Sequence, residues 1–191
     1  MITQALDVFI NKYIDLMREN NSQLLVDFDE EWTSPCLDIC RENVSNSVVT
    51  GETLEWRPVR QDVANSMDNI ASALELEIPE ELSIFFTRYY SLDLPAKTER
   101  GELSLIQVWN QHDFERLQGN LIAHVLMKRR LKQPETLFFA ATDDDDFIVS
   151  IDCASSKVML EQIGLTPKET LAESLTEFID GLTPLAKSSS L

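Results

Sequence analysis

One apolar stripe on a long helix, followed at once by three short strands, sets the tightest limit on how this chain folds. After Asp113, residues Phe114, Leu117, Leu121, Ile122, Val125 and Leu126 fall on one helical face. Lys128, Arg129 and Arg130 fill the last turn, where they complement the negative helix end, and Pro134 ends the run. Residues 136–141, 147–151 and 157–160 then read as strands, separated by the loop aspartates Asp143, Asp144, Asp145 and Asp146 and by a Ser155-Ser156 turn. Upstream, 92–94 and 103–109 flank Thr98-Glu99-Arg100-Gly101-Glu102, a polar connection with one glycine that suits a hairpin. The pattern predicts a single α+β domain, a mixed or mostly antiparallel sheet with helices packed against it.

The flanks add further helices. Leu6, Phe9, Ile10, Tyr13, Ile14 and Met17 predict an amphipathic helix after Thr3, stopped at Asn20 and Asn21. Residues 53–56 are a strand candidate in a stretch interrupted by Pro35 and Gly51. Val63, Met67, Ile70, Ala71 and Leu74 mark a second helix; Pro79 at a first helical position, with Glu80 and Glu81 in the first turn, starts a third. Thr166-Pro167-Lys168-Glu169 has the form of a capping box and predicts a last helix through Leu171, Leu175, Phe178 and Ile179 to Gly181. No repeat or flexible linker divides the chain, so one domain spans 1–191, with 186–191 as a mobile tail.

Charge decides which partners are plausible. The 191 residues carry 33 Asp and Glu against 16 Lys and Arg, a formal net charge of −17. With 43% hydrophobic residues the chain still has material for a core and is not a disordered acidic tail. Residues 1–83 hold 5 basic and 17 acidic side chains, −12, whereas 84–191 hold 11 and 16, −5. This sign repels nucleic acid and anionic lipid, so neither nucleic-acid binding nor direct lipid insertion is expected. A basic partner is. The longest stretch without a charge, 117–127, is about eleven residues, whereas a spanning helix needs roughly 20 apolar ones. The N-terminus lacks the basic start and unbroken apolar core of a secretory signal, and a cytosolic address is expected.

Signatures of catalysis and cofactor binding are missing. The five glycines are isolated, which leaves no phosphate-cradling loop, and neither G-x-S-x-G nor H-E-x-x-H occurs. Cys36, Cys40 and Cys153 read as reduced thiols; Cys36 and Cys40 are expected to be buried rather than zinc ligands, since no second pair or nearby histidine completes a tetrahedron. His124 reads as a half-buried, hydrogen-bonded side chain. The aspartate run lacks the alternate spacing of a calcium loop. No catalytic residue, metal or cofactor is expected.

The middle of the chain carries a more particular pattern. Leu103-x-Leu105-x-Gln107-x-Trp109 is followed by Asp113-Phe114-x-Arg116-x-x-x-Asn120-Leu121-Ile122-x-His124 and by Lys128-x-Arg130-Leu131-Lys132-x-Pro134-x-Thr136-Leu137-Phe138. This resembles the Syd family, the SecY-interacting proteins of proteobacteria. Ser34-Pro35-Cys36, Trp56-x-Pro58 and, more loosely, 85–89 match upstream, as do Leu171-Ala172-x-Ser174-Leu175-x-Glu177-Phe178 and Leu182-x-Pro184-Leu185 downstream. The resemblance implies a non-catalytic, SUKH-like fold with a concave, strongly acidic surface. It implies peripheral association, through SecY, with the cytoplasmic side of the bacterial inner membrane. It also implies a role in sequestering uncomplexed SecY or restraining the translocase. The wider SUKH kinship implies an alternative, an immunity-type protein that neutralises a basic toxin.

Residue chemistry and resemblance meet in one mechanism, because cytoplasmic loops of membrane proteins are enriched in Lys and Arg. Asp143, Asp144, Asp145 and Asp146, with Asp93 and Glu102 on the neighbouring hairpin, are expected to form the partner-binding surface. Asp27, Asp29, Glu30 and Glu31 are expected as a second source of negative charge. Exposed ion pairs are each worth only about 0.2–1 kcal/mol, so binding is expected to be distributed and sensitive to salt.

Overall fold

Strands at the centre of the molecule are short, antiparallel and joined in sequence, which lets a sheet grow outward from local hairpins. In a computed structural model that describes residues 1–20, 22–37 and 48–186, the hairpin β5 (Leu94–Thr98) and β6 (Gly101–Leu105) leads through a helix to β7 (Thr136–Thr142), β8 (Phe147–Asp152), β9 (Val158–Gln162) and β10 (Glu169–Ala172). With β11 (Thr183–Pro184) they form a seven-stranded sheet in the order β10-β9-β8-β7-β6-β5-β11, every ladder antiparallel. Two smaller ribbons pair β1 (Leu25–Asp27) with β2 (Thr53–Glu55) and β3 (Val59–Arg60) with β4 (Tyr89–Tyr90).

Strand alternation sends neighbouring side chains of β7 into opposite layers. Phe138 meets His124 of α4 (Gln111–Arg130), their rings edge-on at 5.5 Å. Phe139 instead meets Phe85 of α3 (Glu80–Arg88) and Phe178 of α5 (Leu175–Asp180), each at 5.7 Å. The short α2 (Asp68–Leu74) packs on α4, and Arg129 donates to the Leu74 carbonyl at 2.7 Å. On the other side α1 (Ile2–Glu19) packs on α3, α5 and β11, burying Leu6, Phe9, Ile10, Tyr13 and Met17. The result is an α+β fold with helices on both faces of one sheet and a single hydrophobic core.

Two ionic groups lock these layers. Asp7 of α1 accepts from Arg88 Nε (2.8 Å) and Nη2 (2.6 Å), from Tyr89 Oη (2.7 Å) and from Arg60 Nη2 (2.6 Å). The hydrogen bond from Arg88 holds the Asp7 carboxyl below its usual range against the opposing effect of burial. Under α4 the Lys128 ammonium, wholly buried, donates to Glu161 Oε1 (2.7 Å) and to the Leu165 carbonyl (2.9 Å). Thr136 and Ser150 donate to the second Glu161 oxygen at 2.7 and 2.8 Å. His124 joins the group through Thr136 Oγ1 at 3.0 Å, and burial lowers its pKa.

Several sequence expectations shift by position or type. Residues 169–172 are strand rather than helix: β10 pairs with β9, and α5 starts only at Leu175. The helix cap lies later, where Ser174 Oγ accepts from Glu177 N–H (3.1 Å) and the Glu177 carboxylate accepts from Glu173 N–H (3.0 Å), one residue before the cap. The second helix begins at Asp68, with Val63 exposed in the preceding segment. Pro79 caps α3 instead of occupying its first turn, and α4 starts at Gln111, two residues before Asp113, capped by Asn110, whose side chain accepts from Asp113 N–H. Cys36 is buried, and desolvation pushes its thiol to about 11. Cys40, Asn21 and the expected tail beyond Ala186 lie outside the described residues.

Candidate functional site

The seven-stranded sheet curls until its far members touch. Arg100, in the turn between β5 and β6, donates through Nη1 (2.5 Å) and Nη2 (2.9 Å) to both carboxylate oxygens of Glu169 on β10. Laid flat at about 4.8 Å per strand, five intervals would hold β5 and β10 roughly 24 Å apart. The pair therefore clasps the mouth of a hollow. It holds the Arg100 guanidinium above its usual pKa and the Glu169 carboxyl below its own.

Beneath the clasp lies a cavity of about 630 Å³. Its walls are the 98–103 turn, the start of the β7–β8 loop, β8 to β10 and the end of α5. Leu103, Phe147, Val149, Leu160, Leu171 and Phe178 supply apolar side chains; Phe147, Leu160 and Leu171 are only half-buried. Glu99, Asp143, Asp144 and Glu177 bring carboxylates, all on exposed residues; Glu102 lies in the lining as well, and Arg100 is the one cation among the lining residues. Lys168 reaches a wall from outside, its ammonium 4.5 Å from the centre of the Phe147 ring.

Aspartates 143–146 form a built loop. Asp143 N–H donates to the Glu102 carbonyl (3.3 Å), which ties the loop to β6. Thr142 Oγ1 accepts from Asp144 N–H (3.2 Å), Asp144 Oδ1 accepts from Asp146 N–H (3.0 Å), and Ile163 N–H donates to the Asp146 carbonyl (2.9 Å). Gly101 has φ +155°, and a Cβ there would lie 3.8 Å from Asp143 Oδ1, so turn and loop run side by side.

The carboxylates expected from sequence fall into separate regions. Asp143, Asp144 and Glu102 line the cavity; Asp145 and Asp146 are exposed on the same loop without lining it. Alternation along β6 turns the Glu102 side chain away from that of Leu103, which faces the core. Asp93 precedes β5, at the other end of the hairpin and some five residues, about 16 Å, from the turn. Its carboxylate accepts from Gln107 N–H (2.9 Å); desolvation first, and the charge of Asp113 in addition, raise its pKa.

Asp29, Glu30 and Glu31 belong to the neighbourhood of the α4 N-terminus. They lead into Trp32 and Thr33, whose carbonyls accept from Trp109 Nε1 (3.1 Å) and Asn110 Nδ2 (2.8 Å). Trp32 stacks on His112 and lies under the Arg116 guanidinium, 5.3 Å from its ring centre. Asp27 sits on β1, accepting from Thr53 Oγ1 at 2.9 Å. The cavity also recruits Glu99 and Glu177, which the sequence did not single out.

No metal-ligating cluster of His, Cys, Asp and Glu occurs among the described residues, and no helix among them is long and apolar enough to cross a membrane. Comparison with known proteins adds the following. Residues 3–184 match the model of a family described as Syd protein (SUKH-2). A protein named Protein Syd from Alteromonas mediterranea is 43% identical over 184 residues, 96% of this chain and 97% of that one. Proteins of the same name from Pseudoalteromonas atlantica and Colwellia psychrerythraea are 39% and 42% identical, over 96% and 95% of this chain and 96% and 92% of theirs.

Proposed function

Since the chain belongs to the Syd (SUKH-2) family, we propose that it is an acidic binding protein for the Lys- and Arg-bearing cytoplasmic loops of the translocon subunit SecY. It works without catalysis, at the cytoplasmic side of the bacterial inner membrane, held there peripherally by SecY. By occupying those loops it sequesters uncomplexed SecY or restrains the translocase. The observation that carries this reading is the cavity with carboxylates of Glu99, Asp143, Asp144 and Glu177 at its walls in a chain of net charge −17. Loops on the cytoplasmic side of membrane proteins carry the complementary charge. A hollow of one sign with apolar walls focuses its field outward, raising the encounter rate more than the strength of any single contact.

Association with SecY-containing membranes tests this directly. Raising salt from about 0.05 to 0.5 M shortens the Debye length severalfold and is expected to slow association steeply. Replacing Asp143, Asp144, Asp145 and Asp146 together by Asn is expected to lower the association rate and flatten that salt dependence, with the thermal midpoint little changed. Salt-independent affinity, or copurification with a soluble basic toxin in place of SecY, would overturn the proposal.

A further inference from the structure

Charge alone does not account for the floor of the cavity. Phe147, Leu160 and Leu171 come from three different strands, stand half-exposed and face a hollow of about 630 Å³, within the roughly 300–1,000 Å³ of sites that enclose a ligand. An aliphatic or aromatic side chain gains more than a lysine by displacing water from such a surface, because it brings no charged head to desolvate. The chain already brings two of its own cations to these walls. Lys168 lays its ammonium on the Phe147 ring, and Arg100 spans the mouth to Glu169. Cations are thus accommodated at the edge, with Lys168 against Phe147 from outside the lining, while Phe147, Leu160 and Leu171 still face the open hollow.

We infer that the cavity takes a short peptide segment in which one aliphatic or aromatic side chain, flanked by lysine or arginine, seats on Phe147, Leu160 and Leu171 while the flanking cations meet Glu99, Asp143, Asp144 and Glu177. This deepens the SecY-loop proposal and rests on it, for it names which kind of basic loop is chosen. Carboxylates at the walls draw in any basic loop; the apolar floor retains those carrying an anchor. The division assigns encounter to the walls and residence time to the floor.

Two fluorescent ten-residue peptides of alternating Lys and Gly test it, one with a central Phe and one with Gly in that place, titrated against the full-length protein. The Phe peptide is expected to bind at least about tenfold tighter, mainly through slower dissociation, with the same salt dependence for both. In Leu171→Ser, checked for an unchanged circular dichroism spectrum, that advantage is expected to fall to about twofold or less. The wild-type comparison stands if this variant does not fold. Equal binding of the two peptides, both weakened by salt, overturns the anchor and leaves the acidic reading intact. Binding of neither peptide while SecY-containing membranes still bind also overturns the anchor. Failure of those membranes to bind overturns the SecY reading itself.

Discussion

Lys128 shows how far one residue can depart from its apparent role. In sequence it belongs to a basic helix end, beside Arg129 and Arg130, and helix electrostatics explain all three. In the fold it lies buried against Glu161, while Arg129 pairs with Glu135 and donates to the Leu74 carbonyl. Removing one member of a buried pair leaves the other uncompensated, whereas removing both restores an apolar interior. Lys128→Met is therefore expected to destabilise by about 3–5 kcal/mol and Lys128→Met with Glu161→Leu by much less, as urea denaturation measures. Thr136 and Ser150, which also donate to Glu161, set how complete that recovery is. Asp7 gives the counterpart at the edge of the core. Its folded pKa lies below the ordinary 3.8, so its contribution is present above that value and is lost as pH falls through the lower, folded one. Asp7→Asn is expected to cost about 1–2 kcal/mol at pH 7 and almost nothing once the wild-type carboxyl is protonated. A cost independent of pH would show that shape rather than charge holds α1 to α3.

At the level of elements, long periodic segments declare themselves and short ones do not. The stripes of α1 and α4 are legible because each repeats its period several times, and β7 and β8 because their apolar runs are bounded by turn residues. Ribbons of two or three residues, such as β3, β4 and β11, hold no period to read. The error at 169–172 has a definite origin. Both Thr166-x-x-Glu169 and Ser174-x-x-Glu177 satisfy the capping pattern, and pairing of Glu169 and Thr170 with β9 decides between them. The cavity was half legible: a run of aspartates between two strands has to lie in a turn, but half-buried Phe147, Leu160 and Leu171 look like core until the curl of the sheet leaves them uncovered. The clasp is invisible in sequence, since 69 residues separate Arg100 from Glu169. Its consequence is measurable. Arg100→Ala removes the one cation among the residues lining the cavity, and association of a lysine-rich peptide is expected to be about two- to tenfold faster at low salt, with the difference erased near 0.5 M. Slower association would show that the clasp shapes the site instead of competing for it.

Over the whole molecule, acidity is arranged in regions rather than gathered in one basin. One surrounds the cavity; another, with Asp29, Glu30, Glu31, Asp93 and Asp113, borders the N-terminal end of α4. The second is bound up with structure: Asp113 accepts from Trp109 N–H at 2.9 Å and pairs with Arg116, and Asp93 holds Gln107. Distance in the chain says nothing about which region a carboxylate joins, because hairpins carry sequence neighbours such as Asp93 and Glu102 to opposite ends. β10, finally, is the outermost rung of the ladder, and its register slips between Thr170 and Ala172. A second copy approaching that border finds only a broken row of amides beside the ionised Glu169. A border irregular in this way offers a poor template for another strand, and so works against sheets extending themselves from one molecule to the next.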